Sequence, residues 1–78
     1  MRVLMVDDQV LFVKSLQRVI EIIDPEITVV GPATTGKEAV EMAIRLRPDL
    51  VLMDVRLPDI SGVEATRQMV DDYYRVQA

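Results

Sequence analysis

The sequence contains no cysteine and no histidine. Without cysteine there is no disulfide, no thiol nucleophile and no thiolate metal site. Without histidine the usual general base and the commonest metal ligand are both missing. Any catalysis or metal binding must then use carboxylates, hydroxyls, lysine or arginine. No apolar run approaches the ~20 residues of a membrane span. The start, MRVLMVDD, turns acidic too early for a signal peptide. These absences predict a soluble, cytoplasmic protein with no membrane contact. A net charge of −4 with scattered arginines lacks the basic patch that nucleic acid demands. At 78 residues the chain allows one small domain with a modest core.

What is present alternates between two hydrophobic patterns. Residues 2–6 (RVLMV) read as a strand buried on both faces. A helix follows from about Gln9 to Ile23. Its expected buried stripe is Phe12, Leu16, Val19, Ile20 and Ile23; its expected wet face is Lys14, Gln17, Arg18 and Glu21. Asp24-Pro25 ends it. Residues 27–31 read as an edge strand, interrupted by Thr28. A second helix spans about 36–46, turning Ala39, Val40, Ala43 and Leu46 inward, and Pro48 stops it. Residues 50–53 (LVLM) form a third, fully apolar strand. A loop, DVRLPDIS, leads to a third helix near 62–73, with Thr66, Met69, Val70 and Tyr73 on its inward face. The order βαβαβα predicts a parallel sheet with right-handed helical crossovers, an open α/β fold.

One stretch, GPATTGKE at 31–38, falls one residue short of a phosphate-binding P-loop. Glu38 stands where that loop needs a hydroxyl for Mg²⁺. The same residues make a helix capping box. Thr35 would accept a backbone N–H, and Glu38 would reach back to the Thr35 N–H. Phosphate chemistry is expected elsewhere. Asp7 and Asp8 end the first strand, and Asp54 ends the third. Taken singly, Asp8 reads equally as an N-cap and Asp54 as a loop cap. Jointly they read as a site, provided the first and third strands are neighbours about 4.8 Å apart. Strand order 2-1-3 achieves that; order 1-2-3 does not. Three carboxylates in one cleft call for a cation, and oxygen-only ligands select Mg²⁺, Mn²⁺ or Ca²⁺ over Zn²⁺.

Three segments carry a family resemblance: VLMVDDQ at 3–9, ATTGKEAVEMA at 33–43 and PDLVLMDVRLPDISGVEATR at 48–67. Across residues 1–72 the chain resembles the receiver domain of bacterial two-component response regulators. Its wording is most similar to receivers of LuxR-type transcriptional regulators. The resemblance implies a flavodoxin-like (CheY-like) open parallel sheet in three layers, strand order 2-1-3. It implies that Asp54 accepts a phosphoryl group from a sensor histidine kinase or a small phosphodonor. It implies a Mg²⁺ held by Asp7, Asp8, Asp54 and the backbone carbonyl of Arg56, with Pro58 and Gly62 shaping the loop between. Ser61 and Glu64 read as a second capping box. Arg56 and Arg67 read as solvated, and the methionines as core filler.

Family receivers have five βα units; here three are legible, and residues 73–78 form a divergent tail. The family's switch Ser or Thr and its phosphoryl-contacting Lys have no counterpart, and Lys14 and Lys37 lie in the wrong elements to substitute. The chain is expected to act as a phosphoacceptor and not as an enzyme. DNA contact would come only through an output domain outside this sequence. An apolar third strand at an edge, and a first helix lacking a neighbour, predict a dimer or higher oligomer by strand pairing or exchanged elements. That gives an alternative function, a non-phosphorylating self-association module. A third reading, a Mg²⁺-dependent phosphohydrolase, lacks a general acid near Asp54 and a substrate-enclosing cap.

Overall fold

Four consecutive buried residues, Val3 to Val6, mark β1 (Arg2–Val6) as the central strand. A computed structural model describes the backbone of residues 1–77 and the side chains of residues 1–71. Its elements run β1, α1 (Val10–Ile23), β2 (Thr28–Ala33), α2 (Gly36–Leu46), β3 (Leu50–Met53) and α3 (Gly62–Gln77). The three strands are parallel, in the order β2-β1-β3. This is the 2-1-3 order that the acids required.

The sheet divides two apolar clusters because strand side chains alternate in direction. Val3, Met5 and Val29 meet α1 through Val13, with Leu16, Ile20 and Ile27 alongside. Leu4, Val6, Ala33 and Ala39 lie on the other side, flanked by Met42, Ala43, Val51, Met53, Leu57 and Met69. Helix α1 therefore covers one face, and α2 with α3 the other, giving three layers. Leu4 is wholly buried. Its truncation to alanine is expected to cost about 2–5 kcal/mol, a large share of a small domain's stability.

Several local expectations need correction. The buried residue of α1 is Val13, supported by Leu16 and Ile20, while Phe12, Val19 and Ile23 are exposed. Gln17 and Glu21, expected in water, are half-buried against β2. Gln17 Nε2 donates to the Val29 carbonyl (3.4 Å), and Glu21 Oε1 accepts the Val29 N–H (3.2 Å). They satisfy backbone groups on an edge strand that, among the described residues, no further strand pairs. Strand β2 begins one residue later than expected and runs on through Gly31 and Pro32. Its register with β1 shifts between Leu4 and Val6, a bulge-type irregularity. Gly31, at φ 111°, occupies backbone space that other residues rarely adopt.

On α3 the inward residues are Ala65 and Met69; Thr66 and Val70 are exposed. Thr66 Oγ1 donates instead to the Gly62 carbonyl one turn back (2.7 Å). The expected inward Tyr73 lies outside the described side chains, and the helix continues to Gln77 rather than ending near 73. Helix α2 matches its expected bounds. Arg47 closes it in the left-handed region (φ 49°), and Pro48 follows.

Candidate functional site

The register of β1 against β3 builds the site. Val6 pairs with Met53, so the next residues, Asp7 and Asp54, emerge side by side from the carboxyl ends of two adjacent strands. The Asp54 N–H continues the ladder by donating to the Val6 carbonyl (2.9 Å). On the other flank the Asp7 N–H donates to the Ala33 carbonyl (2.9 Å). Carboxylate oxygens of Asp7, Asp8 and Asp54 lie within 4.8 Å of one another. Asp8 is exposed and the other two half-buried. This is the position where open parallel sheets bind their ligands.

Each acid has a defined local role. Asp7 Oδ1 accepts the Gln9 N–H (2.9 Å), turning the chain into α1. Asp54 Oδ1 accepts the Arg56 N–H (3.0 Å), turning the chain out of β3. Asp8 does not cap α1. The N-cap position is Gln9, and no side chain caps it. The capping alternative for Asp8 is thereby removed, and that for Asp54 is realised with one of its two oxygens. An all-carboxylate donor set suits a hard divalent cation such as Mg²⁺. The acids present fit that ion.

The loop after Asp54 is held from three directions. The Gly62 N–H donates to the Val55 carbonyl (3.1 Å), closing the turn. Leu57 packs into the α2–α3 side of the core. Asp59 reaches the start of α2, where Oδ1 accepts the Gly36 N–H (2.7 Å) and Oδ2 the Lys37 N–H (3.0 Å). Burial alone would push the Asp59 carboxyl up. The backbone N–H groups of Gly36, Lys37, Ile60 and Asp59 itself outweigh it and hold the group below its ordinary value. A Cβ at Gly62 would stand 2.3 Å from the Asp54 carbonyl oxygen, so only glycine permits this approach. Sequence reading anticipated Gly62 but missed Asp59. Its partners are 23 and 22 residues away.

The near-P-loop is now accounted for. Thr35 Oγ1 accepts the Glu38 N–H (3.0 Å), as a cap should. The Glu38 carboxylate reaches the Thr34 N–H (3.2 Å), one residue beyond the expected Thr35. With Asp59 on Gly36 and Lys37, the first three N–H groups of α2 are all engaged. An internal carboxylate stands where a phosphate would bind a helix N-terminus.

The second capping box is half formed. Ser61 Oγ accepts the Glu64 N–H (3.1 Å), but the Glu64 carboxylate turns to Arg67. Arg67 is solvated, as expected, yet bridges Glu64 and Asp71. Hydrogen bonds from Arg67 and Gln68 bring the Glu64 carboxyl down to about 2, and Glu64 in turn raises Arg67 above its ordinary value.

Known proteins share both the sequence and this architecture. A protein-glutamate methylesterase/protein-glutamine glutaminase of Methanospirillum hungatei is 44% identical over 70 residues, 90% of this chain and 20% of that protein. The transcriptional regulatory protein DegU of Brevibacillus brevis is 36% identical over 92% of this chain and 30% of its own length. Among solved structures, the response regulator domain of Thermotoga maritima CheB superposes with a TM-score of 0.83 at 41% identity, over 91% of this chain and 52% of that one. A LuxR-family response regulator of Aurantimonas sp. SI85-9A1 gives 0.82 at 36%, over 90% and 49%. The chain thus spans less than a third of these two curated relatives. The LuxR-type wording has support from DegU and the Aurantimonas regulator, but methylesterase receivers are equally similar. Residues 3–77 match the response regulator receiver domain, and the chain belongs to that family.

Proposed function

We propose that Asp54 is the phosphoryl acceptor of this receiver. An Asp54 carboxylate oxygen attacks the phosphorus of a phosphohistidine on a sensor histidine kinase, or of acetyl phosphate. The phosphorus–nitrogen or phosphorus–oxygen bond breaks, the imidazole or acetate leaves, and an acyl phosphate remains on Asp54. The convergence of three carboxylates from two strand ends within 4.8 Å carries this reading. Asp7, Asp8 and Asp54, with the backbone carbonyl of Arg56, would hold Mg²⁺. When bound, that ion offsets the repulsion between an anionic nucleophile and an anionic phosphoryl group. The chain's own contribution is placement. Asp7 and Asp54 are fixed by the strand ladder, and each accepts a backbone N–H with Oδ1 alone.

The phosphorylated receiver would act in the cytoplasm on an output carried by a longer protein. DegU and the LuxR-family neighbour favour a transcriptional output, the methylesterase relatives an enzymatic one. Intact mass after incubation with acetyl phosphate and Mg²⁺ tests the acceptor. One phosphoryl adduct is expected, absent from Asp54→Asn and absent without Mg²⁺. A folded sample with no adduct would remove the reading.

A second reading rests on exposed apolar surface. Leu50 and Leu52 on β3 and Phe12, Val19 and Ile23 on α1 are all more than two-fifths exposed. A self-associating module that needs no phosphorylation would cover them against a second copy. A dimer mass in light scattering, unchanged by Asp54→Asn, supports it; a monomer with a cooperative melt contradicts it.

A further inference from the structure

The loop carrying Asp54 and Arg56 is not anchored only at its ends. In its middle, Asp59 leaves β3 behind and grips another element. Its two oxygens accept the Gly36 and Lys37 N–H groups, the first two donors of α2. Ile60, the next residue, lies directly on Gly36. A Cβ on Gly36 would meet Ile60 Cγ1 at 2.3 Å and Asp59 Oδ1 at 3.3 Å. The bare glycine thus admits a two-residue plug, one polar and one apolar.

Helix α2 is itself fixed, because Ala39 and Val40 are buried and Thr35 and Glu38 complete its cap. The clamp therefore joins a mobile kind of element, a loop, to a rigid one. On the other side of the loop, the Arg56 N–H is bound to Asp54 Oδ1 and the Val55 carbonyl to the Gly62 N–H. Among the described residues no donor engages the Arg56 carbonyl. Asp59 is the charged group that ties this loop to the body of the domain.

We propose that Asp59 is a positioning residue: by clamping the Val55–Ser61 loop to the start of α2, it sets the affinity of the acid cluster for a divalent cation. The inference rests on the phosphoacceptor reading, in which Arg56 supplies a carbonyl to that cation. Asp59 need not touch the ion. It acts through the backbone it holds, as groups behind metal ligands generally do.

The test compares wild type, Asp59→Asn and Asp59→Ala. Mg²⁺ is titrated while amide shifts of residues 7–9 are followed by NMR, and melting is recorded beside it. Asp59→Ala is expected to weaken Mg²⁺ binding by about tenfold, the lower end for lost support behind a ligand set. Asp59→Asn keeps one oxygen acceptor without the charge, so its affinity should fall between the two. Raising Mg²⁺ should restore the acetyl phosphate adduct in Asp59→Ala to the wild-type yield.

Wild-type Mg²⁺ affinity in a folded Asp59→Ala with a lowered melting temperature would overturn the proposal, leaving a helix cap and nothing more. Equal losses in both variants would overturn it too, since charge and not the clamp would then be the cause. Should Asp59→Ala fail to fold, Asp59→Glu decides, since it keeps the charge but displaces the two oxygens from the Gly36 and Lys37 N–H groups: weakened Mg²⁺ binding upholds the clamp and wild-type affinity overturns it. A wild type that binds Mg²⁺ but accepts no phosphoryl group would sink the phosphoacceptor reading, and the affinities would still decide the role of Asp59.

Discussion

Helices α1 and α2 both begin at the carboxyl end of the sheet, and their N-termini are finished in opposite ways. At α2 the first three N–H groups are taken by Asp59 and Thr35, so the end is closed. At α1 the N-cap Gln9 has no side-chain cap, and the acids before it spend only one oxygen on the turn. The closed end holds an internal anion and suits no external one. The open end keeps carboxylate oxygens free, beside those of Asp54, and suits a cation. A phosphate-binding motif was nearly spelled at α2, yet that helix end is filled from within, and the proposed phosphoacceptor site lies at the ends of β1 and β3. What decides is which charges the fold leaves unpaired.

Four substitutions would break or sharpen that contrast. The largest effect is expected from Gly62→Ala. Its Cβ would press on the Asp54 carbonyl oxygen at 2.3 Å, and destabilisation of about 2 kcal/mol or more should appear in a denaturant melt. The adduct on Asp54 should fall with it. Next, Asp8→Asn removes the exposed acid of the open end. Mg²⁺ affinity should drop about tenfold, as when one charged ligand is lost from a small oxygen site, and the melting temperature without Mg²⁺ should hold or rise. Thr35→Ala opens one donor at the closed end. About 1 kcal/mol should be lost, or roughly 4–8 °C in melting temperature for a domain of this size, with Mg²⁺ affinity unchanged.

The smallest effect belongs to the start of α3. The folded Glu64 carboxyl titrates at about 2 against an ordinary 4.5. Its pairing therefore supports folding fully above pH 4.5 and is lost as pH falls toward 2. Both side chains are well exposed, so solvent screens the pair. Glu64→Gln should lower the melting temperature slightly at pH 7, less near pH 2 and not at all well below it. A constant difference across that range would show that Glu64 acts by something other than charge.

The sheet was legible because its strands write unbroken apolar runs, at residues 3–6, which are buried, and at residues 50–53, where Leu50 and Leu52 of the edge strand β3 stay partly exposed. The acids were legible because they follow those runs directly. Helix α1 was misjudged for a physical reason. Its apolar residues Leu11, Phe12, Val13, Leu16, Val19, Ile20, Ile22 and Ile23 spread over more than one stripe, and periodicity cannot say which stripe meets the sheet. The structure selects Val13, Leu16 and Ile20. Gln17 and Glu21 were assigned to water because polar side chains usually are there; the backbone of an edge strand offered them better partners. Asp59 left a weak trace in the sequence, a carboxylate just after Pro58, but a cap supplied from 23 residues away has no local pattern. Gly36 gave the complementary sign, a helix that starts on a residue with no side chain.

The most direct measurement is a Mg²⁺ titration of the ¹⁵N-labelled chain, read residue by residue. The contrast between the two helix ends predicts saturable shifts centred on the amides of residues 7–9 and 54–56, abolished in a paired Asp7→Asn, Asp8→Asn variant. Saturable shifts centred on residues 36–38 in a folded sample, or none at the strand ends, would contradict it.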